Sequence, residues 1–513
     1  MRRRCGVRAI SALLGISTGL AVACSTGGEG PPPAEPVETP VAAPTERVAR
    51  FQYHPCRFGL PDGQTNGGTV SCGTLEVPER RFPPSERKVR LEVAILRATS
   101  VDKAPDPIIY LAGGPGGRAL EDDLSWWDAE FAAPLQDNRD IIFFDQRGAG
   151  LSTPSLSCGE FDFMYQIAKY DDLDDGSVLL AECRDRLSRN VDLQAYNSVE
   201  NAADIVDLAR ALGYERYNLY GVSYGTRLAL TAMRDAPDMI RSVVLDSTVP
   251  LQWNMYAEMS AGFETSLNTF LDACAADATC RSFAPDLRGT LQRVVAQLES
   301  EPAIVPIEDV GYGAVYEVYV DGGDFLRLLF DAFYVTEIIP EIPRGILQVA
   351  RGDYRMISTL ASYSSRNAGE AIGMYLSVQC RDEGAFNPPE AIVPVRTFRV
   401  LDEDARETVR SFSEDCQTWG VPASPPVENA PVVSDLPTLV LAGQFDPITP
   451  PSNGRRAAET LWRSTFIEFP GVGHGALVSE CARSIMAAFF DDPEAPVDQS
   501  CVVTMAPRFT APG

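Results

Sequence analysis

Ser223 is the centre of a Gly-Val-Ser-Tyr-Gly run, with an apolar stretch before it and a helix-like stretch after it. A turn from strand to helix of this kind needs small residues two positions either side of the serine, and it lifts the hydroxyl clear of the sheet. The helix that follows favours negative charge developing at its N-terminus. The pattern therefore predicts that Ser223 is a nucleophile.

A serine nucleophile needs a base, because its hydroxyl reacts poorly at its own pKa. The chain contains two histidines. His474 lies in a glycine-rich loop after the last strand-like run, and we assign it as the base. His54 precedes the predicted sheet and is interpreted as a loop residue beside a disulfide. Asp446, which follows another strand-like run, is expected to orient His474, and Asp246 is the alternative carboxylate.

Acyl transfer also needs two backbone N–H donors for the oxygen of the tetrahedral intermediate. We assign one to Tyr224, directly after the nucleophile, and the other to Gly114 or its immediate neighbour. Gly114 belongs to a Gly-Gly-Pro-Gly-Gly run, in which the backbone can approach a substrate without a Cβ in the way. A phosphate-binding loop is excluded, because the run lacks the Gly-Lys-Ser/Thr ending.

Strand and helix patterns alternate along the chain around these residues. The strand-like runs are residues 89–93, 108–111, 141–144, 243–245, 438–442 and 465–469. Three of them, 108–111, 141–144 and 243–245, are nearly continuously apolar, which suits parallel strands buried on both faces. A helix pattern at residues 199–212 ends at Gly213. Strands that alternate with helices indicate a parallel α/β sheet.

Amphipathic helical segments replace this alternation from about residue 253 to residue 432. We therefore predict an α/β fold with a mostly parallel sheet flanked by helices and a large, mostly helical cap inserted before the last strands. The predicted organisation is a signal peptide at 1–23, a disordered Pro-rich tether at 24–50, a first core part at 51–252, the cap at 253–432 and a C-terminal core part at 433–513.

The N-terminus has the pattern of an export signal. Four arginines precede a short apolar stretch, and an Ala-Val-Ala site comes directly before Cys24. The run ending at Cys24 is similar to a bacterial lipobox, so Cys24 is a candidate lipidation site. We expect a bacterial protein that is exported and either lipid-anchored in the cell envelope or secreted.

Of 12 cysteines, Cys5 belongs to the signal and Cys24 is the lipid candidate, which leaves an even set of ten. An even set in an exported protein is typical of disulfides. We predict five bonds that pair neighbours in sequence order. The ten are Cys56, Cys72, Cys158, Cys183, Cys274, Cys280, Cys380, Cys416, Cys481 and Cys501.

Composition excludes some classes of function. The net charge of −27 argues against a nucleic-acid partner. Two histidines are too few for a His-rich zinc or di-iron centre, and we predict no metal site. Contact with a membrane is expected only through a lipid on Cys24.

Five motifs in order carry a family resemblance: residues 113–117, 145–152, 221–226, 443–450 and 471–475. The order Ser223, Asp446, His474 is that of α/β hydrolases. The set resembles the prolyl iminopeptidase and tripeptidyl aminopeptidase family of serine peptidases, and residues 72–78 with 481–501 resemble its exported tripeptidyl branch. The resemblance covers about residues 56–501. It implies an α/β-hydrolase fold and removal of short peptides from free N-termini without a cofactor.

Exopeptidases of this kind hold the substrate α-ammonium with a carboxylate, since an unpaired buried charge is costly. The resemblance makes Glu383 the first candidate and Asp382 the second, with an ordinary surface ion pair as the competing interpretation. Two other functions stay open: an esterase on the same fold, because fold does not fix the substrate, and a non-catalytic envelope lipoprotein that binds through the cap.

Overall fold

The computed structural model describes residues 49–159, 176–309, 314–364 and 370–511. The predicted signal peptide, Cys24 and the rest of the tether up to residue 48 lie outside the described residues. None of the helices in these ranges combines the length and the apolar character that crossing a bilayer would need.

Strands within the described ranges form one large sheet and one separate hairpin. They are Arg50–His54 (β1), Val70–Pro78 (β2), Lys88–Leu96 (β3), Ile108–Leu111 (β4), Ile141–Phe144 (β5), Tyr217–Val222 (β6), Ile240–Asp246 (β7), Ala303–Asp309 (β8), Ala314–Val320 (β9), Thr438–Gly443 (β10) and Ser464–Phe469 (β11).

The large sheet has the order β1-β2-β3-β5-β4-β6-β7-β10-β11. The six strands from β5 to β11 run parallel, whereas β1, β2 and β3 add antiparallel at one edge. Every residue of β4, β5 and β10 is buried, because helices cover both faces of a parallel sheet. The predicted fold class is confirmed.

The described ranges contain fifteen α-helices. They are Ala129–Gln136 (α1), Gly176–Leu187 (α2), Ser198–Ala211 (α3), Tyr224–Asp235 (α4), Met255–Ala276 (α5), Ala278–Phe283 (α6), Leu287–Ser300 (α7), Gly322–Tyr334 (α8), Ile342–Val349 (α9), Arg355–Ser364 (α10), Ile372–Asp382 (α11), Val400–Trp419 (α12), Pro451–Ala458 (α13), Glu480–Asp491 (α14) and Ser500–Val503 (α15).

Local sequence explains how two of these helices begin and pack. Asn197 precedes α3, and its side chain accepts the N–H of Glu200 at 2.9 Å, which satisfies one free donor of the first turn. The first ten residues of the next helix, α4, are all buried (residues 224–233). The helix that begins directly after Ser223 is therefore embedded in the core.

The inserted segment, residues 247–437, connects β7 to β10 and contains helices α5 to α12. It builds its own apolar core, which Phe445 joins from beyond β10. The segment also contains the antiparallel hairpin of β8 and β9, which the helical prediction missed. Buried and exposed residues alternate along β8, and this period of two is the pattern of a strand with one buried face.

Five disulfides join neighbouring cysteines in sequence order: Cys56–Cys72, Cys158–Cys183, Cys274–Cys280, Cys380–Cys416 and Cys481–Cys501. These are the pairs expected from the sequence. The bond between Cys380 and Cys416 joins α11 to α12 within the inserted segment, so it fixes the position of the residues that follow α11.

Candidate active site

Ser223 lies between the end of β6 and the start of α4, at a φ of +55°. Few residues other than glycine adopt this conformation, and its strain is typical of a functional turn. A Cβ on Gly221 would collide with the carbonyl oxygen of Gly225, and one on Gly225 would collide with that of Leu111. The two glycines are therefore required by close backbone approach, as the motif predicts.

His474 and Asp446 come from the loops that follow β11 and β10. Nδ1 of His474 lies 2.9 Å from Oδ2 of Asp446, which is completely buried. The hydroxyl of Thr449 donates to the same oxygen at 2.8 Å, and the N–H groups of Ile448 and Thr449 donate to Oδ1 at 3.1 and 2.8 Å. The carboxylate is thus held in place by the turn that carries it.

The electrostatics around His474 favour its protonated form. Burial lowers the pKa of His474, but the Asp446 carboxylate raises it, and the net direction is upward. With Nδ1 directed at Asp446, Nε2 is the nitrogen left to exchange a proton with a nucleophile.

Asp246, the alternative carboxylate, has a different position. Its Oδ1 accepts the N–H of Ala476 at 2.7 Å, and its Oδ2 accepts the N–H of Leu477 and the hydroxyl of Tyr220, both at 3.1 Å. Burial raises the pKa of Asp246 to about 6. Asp246 therefore holds the loop after His474, whereas Asp446 contacts the imidazole.

The glycine run lies directly against Ser223. A Cβ on Gly113 would be 3.1 Å from Cβ of Ser223. Gly114 has a φ of +105° and Gly116 one of +99°, which L side chains rarely adopt. Gly114 and Tyr224 line the same cavity as Ser223, so two backbone segments meet where an oxyanion would form.

This cavity has a volume of about 400 Å³ and is bounded by core and inserted segment together. Its apolar wall consists of Val222, Val249, Trp253, Met255, Tyr334 and Ile448. Of the two histidines, His474 lines the cavity. His54 is the last residue of strand β1, and its Nε2 lies 2.9 Å from Oγ1 of Thr74. The interpretation of His54 as a loop residue is therefore wrong.

The charged lining of the cavity is mostly acidic. Among the described residues it comprises four carboxylates and two guanidinium groups: Asp122, Asp123, Glu370, Glu383, Arg118 and Arg227. Burial raises the pKa of Asp123 to about 7. The negative charges of Asp122 and Glu370 also raise this pKa, whereas a hydrogen bond from Tyr110 lowers it. Carboxyl groups therefore outnumber guanidinium groups in the lining by four to two. In the described ranges, no three His, Cys, Asp or Glu side chains are grouped to hold a metal ion.

Glu383 and Asp382 are both 1% exposed, so interpreting them as a surface ion pair is wrong. Glu383 lines the cavity and accepts Nη1 of Arg227 at 2.7 Å and Nδ2 of Asn387 at 2.8 Å. Burial raises its pKa, although Arg227 opposes this. Oδ2 of Asp382 lies 3.4 Å from Nε of Arg227 and accepts a hydrogen bond from the hydroxyl of Ser198 at 2.6 Å. Two carboxylates thus share one guanidinium.

Several cavity residues had no signal in the sequence. Tyr334 and Trp253 belong to the inserted segment, and Asp123 and Glu370 lie in stretches without a motif. They reach the cavity through contacts distant in sequence, which periodicity cannot reveal.

A family model described as the alpha/beta hydrolase fold matches residues 106–480. Serine protease Hip1 of Mycobacterium tuberculosis is 25% identical over 467 residues, covering 82% of this chain and 85% of the relative. Carboxylesterase B of the same organism is 24% identical over 515 residues, covering 93% of each chain. Tripeptidyl aminopeptidase of Streptomyces lividans is 24% identical over 410 residues, covering 74% of this chain and 73% of the relative.

Proposed function

The chain belongs to the α/β-hydrolase family, and from this premise we propose that it is a serine peptidase that removes short peptides, with tripeptides as the expected product, from free N-termini. Relatives named as serine protease and tripeptidyl aminopeptidase support a peptidase. The observation that carries the proposal is the cavity itself, in which Ser223 and His474 share one space with an excess of carboxylates.

The proposed chemistry is acyl transfer through Ser223. Its Oγ attacks the scissile carbonyl carbon while Nε2 of His474 takes the hydroxyl proton, and Asp446 holds Nδ1 and stabilises the imidazolium. The backbone N–H groups of Tyr224 and Gly114 donate to the oxyanion. His474 then protonates the leaving amine. In the second half of the reaction, His474 takes a proton from water, which attacks the acyl-enzyme, and then returns that proton to Oγ of Ser223 as the acyl group leaves.

Glu383 is proposed as the group that holds the α-ammonium of the substrate. It lines the cavity, and its cluster with Asp382 and Arg227 sets two carboxyl groups against one guanidinium at 1–3% exposure, so ionising both leaves one excess negative charge. A buried excess charge is costly unless it is compensated. A substrate ammonium would provide the missing positive charge, whereas a neutral acyl group would not. Asp382 is proposed to act indirectly, because it contacts Arg227, which in turn contacts Glu383.

The test is a matched hydrolysis assay on the purified protein with two Ala-Ala-Phe anilides, one with a free and one with an acetylated N-terminus. Cleavage of the free amine alone, lost in Ser223→Ala, is the expected result. Residual turnover of Ser223→Ala above about 0.1% of wild type would contradict the assignment of the nucleophile. Equal cleavage of both anilides would contradict the amine site and leave the serine chemistry intact.

An esterase is the second candidate, favoured by the apolar wall of the cavity and by similarity to carboxylesterase B. Turnover of a short acyl ester that exceeds turnover of the free-amine anilide would favour it. Failure of a fluorophosphonate probe to label Ser223 would favour a non-catalytic binding protein instead.

Export to the bacterial envelope, with or without a lipid on Cys24, is also proposed. It is supported by the five disulfides, because such bonds persist in oxidising compartments. Fractionation of cells that carry the wild type or Cys24→Ala would test it: a lipid-anchored protein moves from the membrane to the soluble fraction in the variant.

A further inference from the structure

The end of helix α8, in the inserted segment, contacts the loop that carries His474. The hydroxyl of Thr336 accepts the N–H of Gly473 at 3.0 Å. A Cβ on Gly473 would collide with the carbonyl oxygen of Phe333. Residues on both sides of position 334 therefore touch the residue next to the proposed base, and the backbone at Tyr334 is fixed relative to His474.

Tyr334 uses this position to place its ring against the imidazole. The two ring centroids are 4.7 Å apart, with 54° between the planes, and both residues line the cavity. Nothing in the proposed function so far uses Tyr334. An aromatic ring within about 6 Å of a cation attracts it, and the attraction grows when water is excluded.

We infer that Tyr334 is a positioning residue for the base, whose ring restrains the imidazole of His474 and stabilises the imidazolium that forms when His474 takes the proton of Ser223. The inference rests on the proposed function, since it requires His474 to act as the base. It adds that the inserted segment completes the proton-transfer apparatus as well as enclosing the substrate.

The other groups around the pair act in known directions. Asp446 faces the imidazole from the loop after β10, and Asp246 faces it from the end of β7. Burial raises the pKa of Tyr334 well above its usual value, and nearby acidic groups, Asp446, Asp331 and Glu370, raise it further together with Tyr375. The phenol therefore stays neutral, and its contribution to the imidazolium comes from the ring.

Two substitutions separate the ring from its hydroxyl and from simple packing. Tyr334→Phe keeps the aromatic face, whereas Tyr334→Leu keeps an apolar side chain without one. Phe330→Leu is the matched control, because Phe330 lies one turn earlier on α8, with its ring centroid 5.6 Å from that of Tyr334. All three keep the Thr336 contact to Gly473, and thermal unfolding checks that each is folded.

The assay is the second-order rate at which a fluorophosphonate labels Ser223, measured from pH 5 to 9. In this reaction Oγ of Ser223 bonds to phosphorus, fluoride leaves and His474 takes the hydroxyl proton, so no peptide specificity is involved. We expect Tyr334→Leu to react about tenfold more slowly, which is about 1.4 kcal/mol, with the midpoint of its pH profile at lower pH. Tyr334→Phe and Phe330→Leu should stay within about twofold of wild type.

Three results would overturn the inference. One is a wild-type rate and midpoint for Tyr334→Leu. Another is an equal loss in Tyr334→Phe, which would assign the effect to the hydroxyl. The third is an equal loss and shift in Phe330→Leu, which would assign it to helix packing. Failure of the proposed function looks different, because His474→Ala would then be labelled as fast as wild type.

Discussion

Replacing Asp446 with Asn is expected to abolish turnover by changing the tautomer of His474. Oδ1 of Asp446 accepts the backbone N–H groups of Ile448 and Thr449, so an Asn must place its carbonyl oxygen there. Its NH₂ group then occupies the position of Oδ2, which lies 2.9 Å from Nδ1 of His474. A donor at that point requires Nδ1 to be an acceptor, and the ring proton moves to Nε2.

A proton on Nε2 prevents His474 from taking the proton of Ser223. The loss of the base in this way lowers kcat by about 10⁴-fold, or about 5.5 kcal/mol of transition-state stabilisation. The fold should be little affected, because the Asn keeps both backbone N–H bonds on its carbonyl oxygen, and the Thr449 hydroxyl, which donates to Oδ2, can rotate to accept from the NH₂ group. We expect the free energy of unfolding to fall by about 1 kcal/mol or less.

The assay combines kcat on the free-amine anilide with denaturant unfolding, and Asp246→Asn is the matched control. Each oxygen of Asp246 accepts a backbone N–H, from Ala476 and Leu477, so an Asn there must place its NH₂ against a donor. That variant should lose about 1–3 kcal/mol of stability and a smaller part of its activity. The reasoning is refuted if Asp446→Asn keeps activity within about 100-fold of wild type, or if Asp246→Asn loses turnover without losing stability.

Three further outcomes are expected. Glu383→Gln should raise KM for the free-amine anilide about tenfold or more without changing the rate of fluorophosphonate labelling; a similar rise for an acetylated ester would contradict this. Gly225→Ala should lower the free energy of unfolding by about 1–3 kcal/mol, measured with denaturant, because its Cβ collides with the carbonyl of Leu111. Activity should fall as pH drops through the raised pKa of His474, since the base must be neutral; a pH–kcat/KM profile flat below pH 6 would contradict the assignment.

Local sequence predicts those parts of the molecule whose structure depends on burial or backbone contact at a short run of residues. Strands β4 and β5 are continuously apolar because both their faces are covered, and a run of four apolar residues between turns shows this directly. The turn at Ser223 needs glycines at 221 and 225 because backbone atoms meet there. Gly221 meets the carbonyl of Gly225 within the turn itself, whereas Gly225 meets that of Leu111 on β4, so each requirement falls on one short run of the sequence and leaves a readable pattern.

Other features depend on partners far along the chain, and local patterns did not predict them. His54 ends a strand because β1 pairs with β2, although its neighbours indicate a loop. Glu383 and Asp382 resemble a solvated charged turn in sequence, yet Arg227, which is 155 residues away, accompanies them in a buried cluster. Only the tertiary fold shows that one guanidinium lies against both carboxyl groups.

The inserted segment contacts three separate parts of the site. The N–H of Ala371, before α11, donates to the carbonyl of Gly116 in the glycine run at 3.0 Å. Glu383, after α11, pairs with Arg227 on the helix that follows the nucleophile. Thr336, after α8, holds the loop of His474. A segment bonded to the glycine run, to the helix after Ser223 and to the loop of His474 cannot move far without disturbing all three. Substrate selection and chemistry are therefore expected to change together when this segment is altered.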